Sequence, residues 1–356
     1  MSVRHIVFFC VIYTFSSLNC YASDVKEDFV SDRDCPFLCT CAEYDVNCTN
    51  TNVFPDSIPE ETKRFFLINS TIDFVPINAF LDLPKLKEIH FIDSKATKLR
   101  ACSFAELENM SVISFERTKI EQIEGNAFSN LVNISNIIFS GATIGELFSF
   151  SFHNVKYVKR LEFFQATIST VHPLALLTFE NIGEIGIMDS TVQRFLKNGF
   201  SGFRNVELIY MTNSEITEWQ CGSLDTVLKS GIDFDVSLSR FACDCKLAWL
   251  WTKHLNSTIL ENRSNKCTGT DTALPSINVD QICPSEKSRD QGCPPLLPST
   301  PHTCSRNFDS PMNPVEKVTY PNFFSRITTS STSSVTTVNF KICFIMLLIT
   351  CYHCLI

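Results

Sequence analysis

The chain lacks the signatures that chemistry leaves in a sequence. No GxSxG, HExxH or glycine-rich phosphate loop occurs, and no redox CxxC pair lies between residues 62 and 232. Acyl transfer, zinc-dependent hydrolysis, nucleotide binding and thiol exchange therefore have no motif to stand on. The histidines, His5, His90, His153, His172, His254, His302 and His353, are scattered without metal-ligand spacing. Positive charge is short as well: 30 Lys and Arg against 38 Asp and Glu leave a net charge of -8. That balance excludes nucleic acid or an anionic membrane surface as a partner. Long apolar runs are absent too, since a spanning helix needs about 20 apolar residues and none is available. No cofactor is implied.

What is present begins at the two ends. Residues 1–22 open with Arg4 and His5, continue apolar from Ile6 to Phe15, and close on Cys20-Tyr21-Ala22. This is the pattern of a secretory signal peptide cleaved after Ala22. The chain is then exported, and its cysteines meet an oxidising compartment. At the other end, residues 341–356 are hydrophobic with no Lys or Arg after Lys341, preceded by the small, polar run TTSSTSSVTTVNFK. Small residues, a polar spacer and a terminal apolar tail make a glycolipid attachment signal, with Ser331 as the attachment site. A short membrane-spanning helix is the competing reading of that tail. Either way the protein is placed at the outer face of the plasma membrane or secreted.

Between the ends, phenylalanine is abundant, 31 residues, and its placement is periodic. Phe80, Phe104, Phe128, Phe152 and Phe200 share a 24-residue register, with Leu176 and Leu224 in the remaining slots. A second column runs Phe65, Ile89, Ile113, Ile137, Leu161, Ile185, Ile209, and a third runs Leu67, Phe91, Phe115, Phe139, Phe163, Ile187, Met211. Seven units hold this register over residues 62–232 without an insertion. The alternation of Phe65 and Leu67 describes a strand with one face buried. No unit buries its apolar groups alone, so stability comes from stacking, and the two ends need covering.

Each unit resembles the leucine-rich repeat, whose period is about 20–29 residues. The flanks CPFLCTCAEYDVNC and CDCKLAWLWTKHLNSTILENRSNKC, the latter followed by Cys283, resemble the cysteine-rich caps of extracellular leucine-rich-repeat proteins. The resemblance implies an α/β repeat solenoid, a horseshoe of about seven 24-residue repeats with a parallel concave sheet, capped by disulfides at both ends. It gives an N-terminal cap 35–61, the repeats 62–232 and a C-terminal cap 233–284, preceded by a segment 23–34; beyond the cap, Pro and Ser/Thr enrichment describes an extended stalk 285–340. It further implies the pairs Cys35–Cys41, Cys39–Cys48, Cys243–Cys267 and Cys245–Cys283, although the sequence by itself allows other connectivities. Zinc is the other use of CxC pairs, and export argues against it. Cys102 and Cys221 stand five repeats apart, too far to bond each other. Cys102 reads as a buried free thiol, Cys221 is undecided, and Cys293 with Cys304 closes a small local loop.

The repeat column that usually holds Asn reads Ser70, Ser94, Thr118, Ala142, Ala166, Ser190, Ser214. Hydroxyls partly replace an asparagine ladder, but the two alanines cannot, and the backbone there needs another partner such as water. Sequons at Asn47, Asn69, Asn109, Asn133, Asn256 and Asn262 fit a glycosylated surface.

Two functions follow. The first is protein recognition or adhesion through the concave face, where residues flanking the buried strand pair point outward. Of fourteen such positions, Phe66, Ile68, Ile92, Ile138, Phe164, Met188 and Tyr210 are large and apolar. A protein ligand, a receptor or a second copy of the chain packed face to face would satisfy this pattern. His90, in the same columns, reads as a solvated surface histidine with no paired acid or nucleophile. Asp93 and Asp189 share a column but stand four repeats apart, too far to act as a carboxylate pair. The second function rests on the stretch SLDTVLKSGIDFDVSLSRFACDCKLAWLW, which resembles the arthropod non-catalytic luciferase subunits; it implies a secreted companion of an oxidoreductase. Neither reading makes the chain an enzyme.

Overall fold

The computed structural model describes residues 35–253, 257–284 and 304. The expected signal peptide, the segment 23–34, the expected stalk apart from Cys304, the tail with Ser331, and Asn256 lie outside the described residues.

Two sheets run along the molecule. The first has eleven strands, and its eight successive turns pair in parallel: Arg64–Ile68, Glu88–Ile92, Glu108–Glu116, Phe128–Ser140, Phe152–Phe164, Leu176–Met188, Phe200–Thr212 and Asp233–Ser237. The second has nine strands and holds the other side of each turn, from Thr71–Val75 to Arg240–Phe241 and Lys266–Cys267. Register is 24 residues throughout, Phe91 opposite Phe115, Phe115 opposite Phe139 and Phe139 opposite Phe163. The eighth turn steps by 25, Ile209 opposite Phe234. The expected parallel solenoid is therefore present, with one turn contributed by the cap region.

Helices are few. Among the described residues they begin only at Asp225–Ser230 and continue in the C-terminal cap. In the middle repeats the side opposite the second sheet is extended and runs straight into the first sheet, so Phe128–Ser140 is a single 13-residue strand. Its buried residues Phe128, Leu131, Ile134 and Ile137 fall three apart. That spacing works because Asn130 (φ 54°) and Asn133 (φ 56°) take the left-handed conformation, which asparagine tolerates better than most residues. Each kink turns the chain so that the next apolar side chain again points inward.

The phenylalanine columns become two stacks. Phe80, Phe104, Phe128 and Phe152 lie 5.2, 4.7 and 4.5 Å apart, and Phe91, Phe115, Phe139 and Phe163 lie 5.0, 4.8 and 4.9 Å apart. These spacings are the inter-strand distance of about 4.7–4.9 Å, so the sheet itself sets the ring separation. Between the stacks the rings meet edge to face, as in Phe115–Phe128 (83°) and Phe128–Phe139 (79°), the arrangement that aromatic quadrupoles favour.

The hydroxyl column is buried and forms the ladder. Ser94 Oγ accepts from Ser70 N and donates to the Leu67 and Ile92 carbonyls. Ser190 Oγ accepts from Ala166 N at 2.9 Å, so the next turn satisfies that alanine's amide with no water involved. One residue earlier sits a left-handed corner, Asn69, Asp93, Arg117, Gly141, Gln165, Asp189, Asn213. Its N–H groups donate to the adjacent turn, from Asn69 to Ile92 O (2.9 Å) through Asn213 to Ser237 O (3.0 Å).

Both ends are closed by bridges. Cys35–Cys41 and Cys39–Cys48 tie an antiparallel hairpin, Cys39–Ala42 with Asp45–Thr49, whose second strand pairs in parallel with Arg64–Ile68. Cys243–Cys267 and Cys245–Cys283 tie the far end, where Trp219 stacks on Phe241 at 5.3 Å and meets Trp249 edge-on. All eight cap cysteines are in bridges, in the pairs that the cap resemblance implies, and none is left to ligate a metal. Two expectations fail. Cys102 is no free thiol: it is bonded to Cys304, 202 residues away, with Cα atoms 5.8 Å apart. Cys304 therefore closes no local loop with Cys293. A contact so remote in sequence leaves no spacing signal to read.

Candidate recognition surface

In each turn of the first sheet the pleat sends alternate side chains outward. Glu88–Ile92 illustrates it: Ile89 and Phe91 are fully buried, while Glu88, His90 and Ile92 are half-buried. The seven apolar candidates all occupy outward positions and all are half-buried: Phe66, Ile68, Ile92, Ile138, Phe164, Met188 and Tyr210. They fall in two groups. Phe66, Ile68 and Ile92 lie on the first two turns, and Ile138, Phe164, Met188 and Tyr210 on the fourth to seventh. Ser114, Glu116 and Ser140 separate them along the register. A third outward column, Arg64, Glu88, Val112, Asn136, Arg160, Glu184, Leu208, adds two apolar residues, Val112 and Leu208, to the same face. Alternation extended one residue earlier along each strand would have found them.

His90 is not a solvated histidine. Its side chain is only 16% exposed, its ring stacks on Phe66 at 4.8 Å and 9°, and it contacts Ser114 Oγ at 2.7 Å and Glu88 Oε2 at 3.3 Å. The serine lies one full turn away, which is why no short motif announced it. Serine, histidine and carboxylate in line invite comparison with a hydrolytic triad. Ser114 is nonetheless 3% exposed, in a strand paired on both sides with Glu88–Ile92 and Phe128–Ser140. Backbone N–H groups committed to a ladder cannot form the oxyanion hole that acyl transfer requires. The line-up is a polar clamp across three residues of the face.

The fourth to seventh turns hold a different arrangement. Tyr210 lies flat over Gly186: a Cβ built on that glycine would stand 2.3 Å from the ring. Burial raises the Tyr210 pKa above 10, and the nearby Glu162 and Glu184 carboxylates raise it further. Arg160 donates to Glu184 at 3.0 Å across adjacent strands. At the rim, Arg117 grips Asp93 through two bonds of 2.6 and 2.8 Å and holds that carboxyl below its ordinary pKa. Asp93 is thus engaged by the adjacent turn, as Asp189 is by Asn213.

The sequons occupy distinct places. Asn47 pairs in register with Phe66 on the same sheet face, half-buried. Asn69 is exposed at the corner next to Ile68. Asn109 and Asn133 are exposed on the opposite side of the turn, and Asn133 Nδ2 donates to Asn109 Oδ1 at 2.6 Å. Asn262 is half-buried, its amide donating to Val236 O at 3.3 Å and its oxygen accepting from Ser264.

Among the described residues, no helix is long and apolar enough to cross a membrane. The five bridges between described cysteines belong to a chain matured in an oxidising compartment.

Comparison with known proteins follows the architecture. A family model described as "BspA type Leucine rich repeat region" matches residues 73–214 in 6 copies. No curated protein matches the sequence. Among solved structures, human 5T4 (Wnt-activated inhibitory factor 1, trophoblast glycoprotein) superposes with a TM-score of 0.37 at 16% identity, over 71% of this chain and 99% of that one. FLRT2, in an octameric complex with latrophilin 3 and Unc5D, gives a chain superposing with a TM-score of 0.24 at 14% identity, over 70% of this chain and 99% of that one. Residues 73–214, which match the BspA-type leucine-rich-repeat model, stack into a parallel-sheet solenoid that disulfides close at both ends.

Proposed function

We propose that the protein is an exported, membrane-displayed recognition module that binds a protein ligand or receptor through the outward face of the first sheet and performs no chemistry itself. One observation carries the reading. Half of the fourteen outward positions in these two columns hold large apolar side chains that remain only half-buried, and the four on consecutive turns, Ile138, Phe164, Met188 and Tyr210, form an apolar cluster of the kind that marks interaction sites.

Carbohydrate narrows the footprint. Glycans on Asn47 and Asn69 would stand beside Phe66 and Ile68, crowding the first turns. Contact then centres on Ile138, Phe164, Met188 and Tyr210. Residues 1–22 act as the signal peptide, and a glycolipid at Ser331 holds the protein on the cell surface.

The test is substitution on the face. Phe164→Glu or Ile138→Glu abolishes capture of the partner while secretion stays normal. If both variants are secreted and still bind whatever the wild type binds, the face is not the interface. Sedimentation of the wild type separates a second copy of the chain from a different partner, since a face-to-face dimer would dissociate in both variants. Release from cells by phosphatidylinositol-specific phospholipase tests the anchor.

A further inference from the structure

Charge is distributed unevenly along the outward face of the first sheet. On the first three turns the charges are engaged: Arg64 grips Asp45, Glu88 meets His90, and Arg117 holds Asp93. From the fifth turn to the eighth, five carboxylates, Glu162, Glu184, Asp189, Asp233 and Asp235, share the face with one guanidinium, Arg160. One residue earlier on these turns, Lys159 and Glu207 are exposed and cancel. Arg160 is taken by Glu184 at 3.0 Å, and Asp189 accepts from Asn213. Among the described residues no cation reaches the other three, and Asp235 accepts only from its neighbour Ser237 Oγ at 3.4 Å.

Two of those three border Tyr210. Register sets Glu162 opposite Gly186, Gly186 opposite Tyr210, and Tyr210 opposite Asp235. Gly186 lets the ring lie across its strand, with the phenol oxygen 2.5 Å from where a Cβ would stand. The hydroxyl end is thereby carried toward Glu162, which after burial does most to raise the tyrosine's pKa, and the root of the side chain stays beside Asp235. A ring resting on the sheet turns its other face outward, here with a carboxylate at each end. An aromatic face bordered by carboxylates attracts a cationic side chain twice over, through the ring quadrupole and through charge-assisted hydrogen bonds.

The eighth turn adds an independent feature. Leu238 is 62% exposed at φ 55°, on a corner that holds Asn, Asp, Arg, Gly or Gln in the seven earlier turns. A bulky residue in the left-handed region is uncommon, and such strain concentrates at sites that use it. Its side chain stands in solvent next to Ser237, at the end of the column that holds Phe164 and Met188.

We infer that the partner seats an arginine or lysine side chain on the outer face of Tyr210, between Glu162 and Asp235, and lays apolar neighbours of that residue against Phe164, Met188 and Leu238. The inference rests on the recognition face proposed above and gives the chemistry of what binds there. Five strands at about 4.8 Å and five residues at about 3.3 Å make a footprint of roughly 24 by 16 Å. That is about half of the ~800 Å² each partner buries in a standard interface, so it fits one projecting segment of another protein. A second copy seated cluster on cluster would set five carboxylates against five, a juxtaposition that interfaces avoid.

The test presents the secreted full chain to an array of synthetic peptides. Their central residue is Arg, Lys, citrulline, Gln or Glu, and their flanks are drawn at random from Leu, Phe, Tyr and Ser. Retention on Arg- and Lys-centred peptides is expected, weaker by about tenfold on citrulline and absent on Glu. It should fall as sodium chloride rises from about 50 to about 500 mM, because salt screens exposed charges. Glu162→Gln and Asp235→Asn should each remove most of the preference for Arg over citrulline with the melting temperature unchanged. Equal retention across central residues, a preference for Glu, or no retention at all overturns the inference. Phe164→Glu tells its failure from that of the face: if it abolishes retention while the charge variants change nothing, the face stands and the cationic partner falls. If no variant changes retention, the face falls with it. A dimer in sedimentation that Phe164→Glu dissociates and Asp235→Asn tightens would give the site to a second copy and overturn the inference as well.

Discussion

Phe128 sits at the crossing of the two aromatic stacks, and its replacement measures what that core is worth. The ring is fully buried and meets four others, Phe104 at 4.7 Å, Phe115 at 6.1 Å, Phe139 at 6.1 Å and Phe152 at 4.5 Å. Phe128→Leu keeps most of the apolar area but removes all four ring pairs. At the low end of about 0.5 kcal/mol per pair, that loss comes to about 2 kcal/mol. Phe128→Ala adds a cavity inside a tightly registered stack and falls at the upper end of the ~3–5 kcal/mol range for such truncations. Phe74 is the control, 40% exposed with the Arg100 guanidinium 4.2 Å from its ring; Phe74→Leu should cost no more than about 1 kcal/mol. Urea denaturation of the purified proteins, followed by circular dichroism, ranks the three. If Phe128→Leu loses no more than Phe74→Leu, ring pairing, stacked or edge to face, contributes nothing beyond area, and the account of the core is wrong.

Two further outcomes follow from particular side chains. Gly186→Val should leave the solenoid secreted but lift Tyr210 from the sheet, because the new Cβ would stand 2.3 Å from the ring; a tyrosine fluorescence and pH titration unchanged from wild type would refute the contact. His153 is half-buried, and burial lowers its pKa below the ordinary 6.5. Above that value the folded and unfolded chains are both neutral there; as pH falls through about 6.5 the unfolded chain takes up a proton that the folded one refuses, so stability declines. His153→Gln should flatten this acid-side decline, and an identical pH profile for the variant would remove the argument.

Much of the architecture is legible from the sequence because a solenoid repeats one local solution. Period, strand alternation and cap cysteines are local or strictly periodic signals, and by themselves they place Phe65, Leu67 and the aromatic columns inside. The outward candidates could be named for the same reason, since the pleat admits only one alternative face. Tertiary structure decided the rest. The extended side of the repeat shows apolar residues three apart, a spacing that belongs to neither strand nor helix without the left-handed conformation of Asn130 and Asn133. The approach of Ser114 to His90 exists only because stacking brings residues 24 apart within hydrogen-bond reach. The Cys102–Cys304 bridge joins positions 202 residues apart. Such a pairing depends on where a chain leaving the cap can reach on the assembled edge, and that edge does not exist until the turns have stacked.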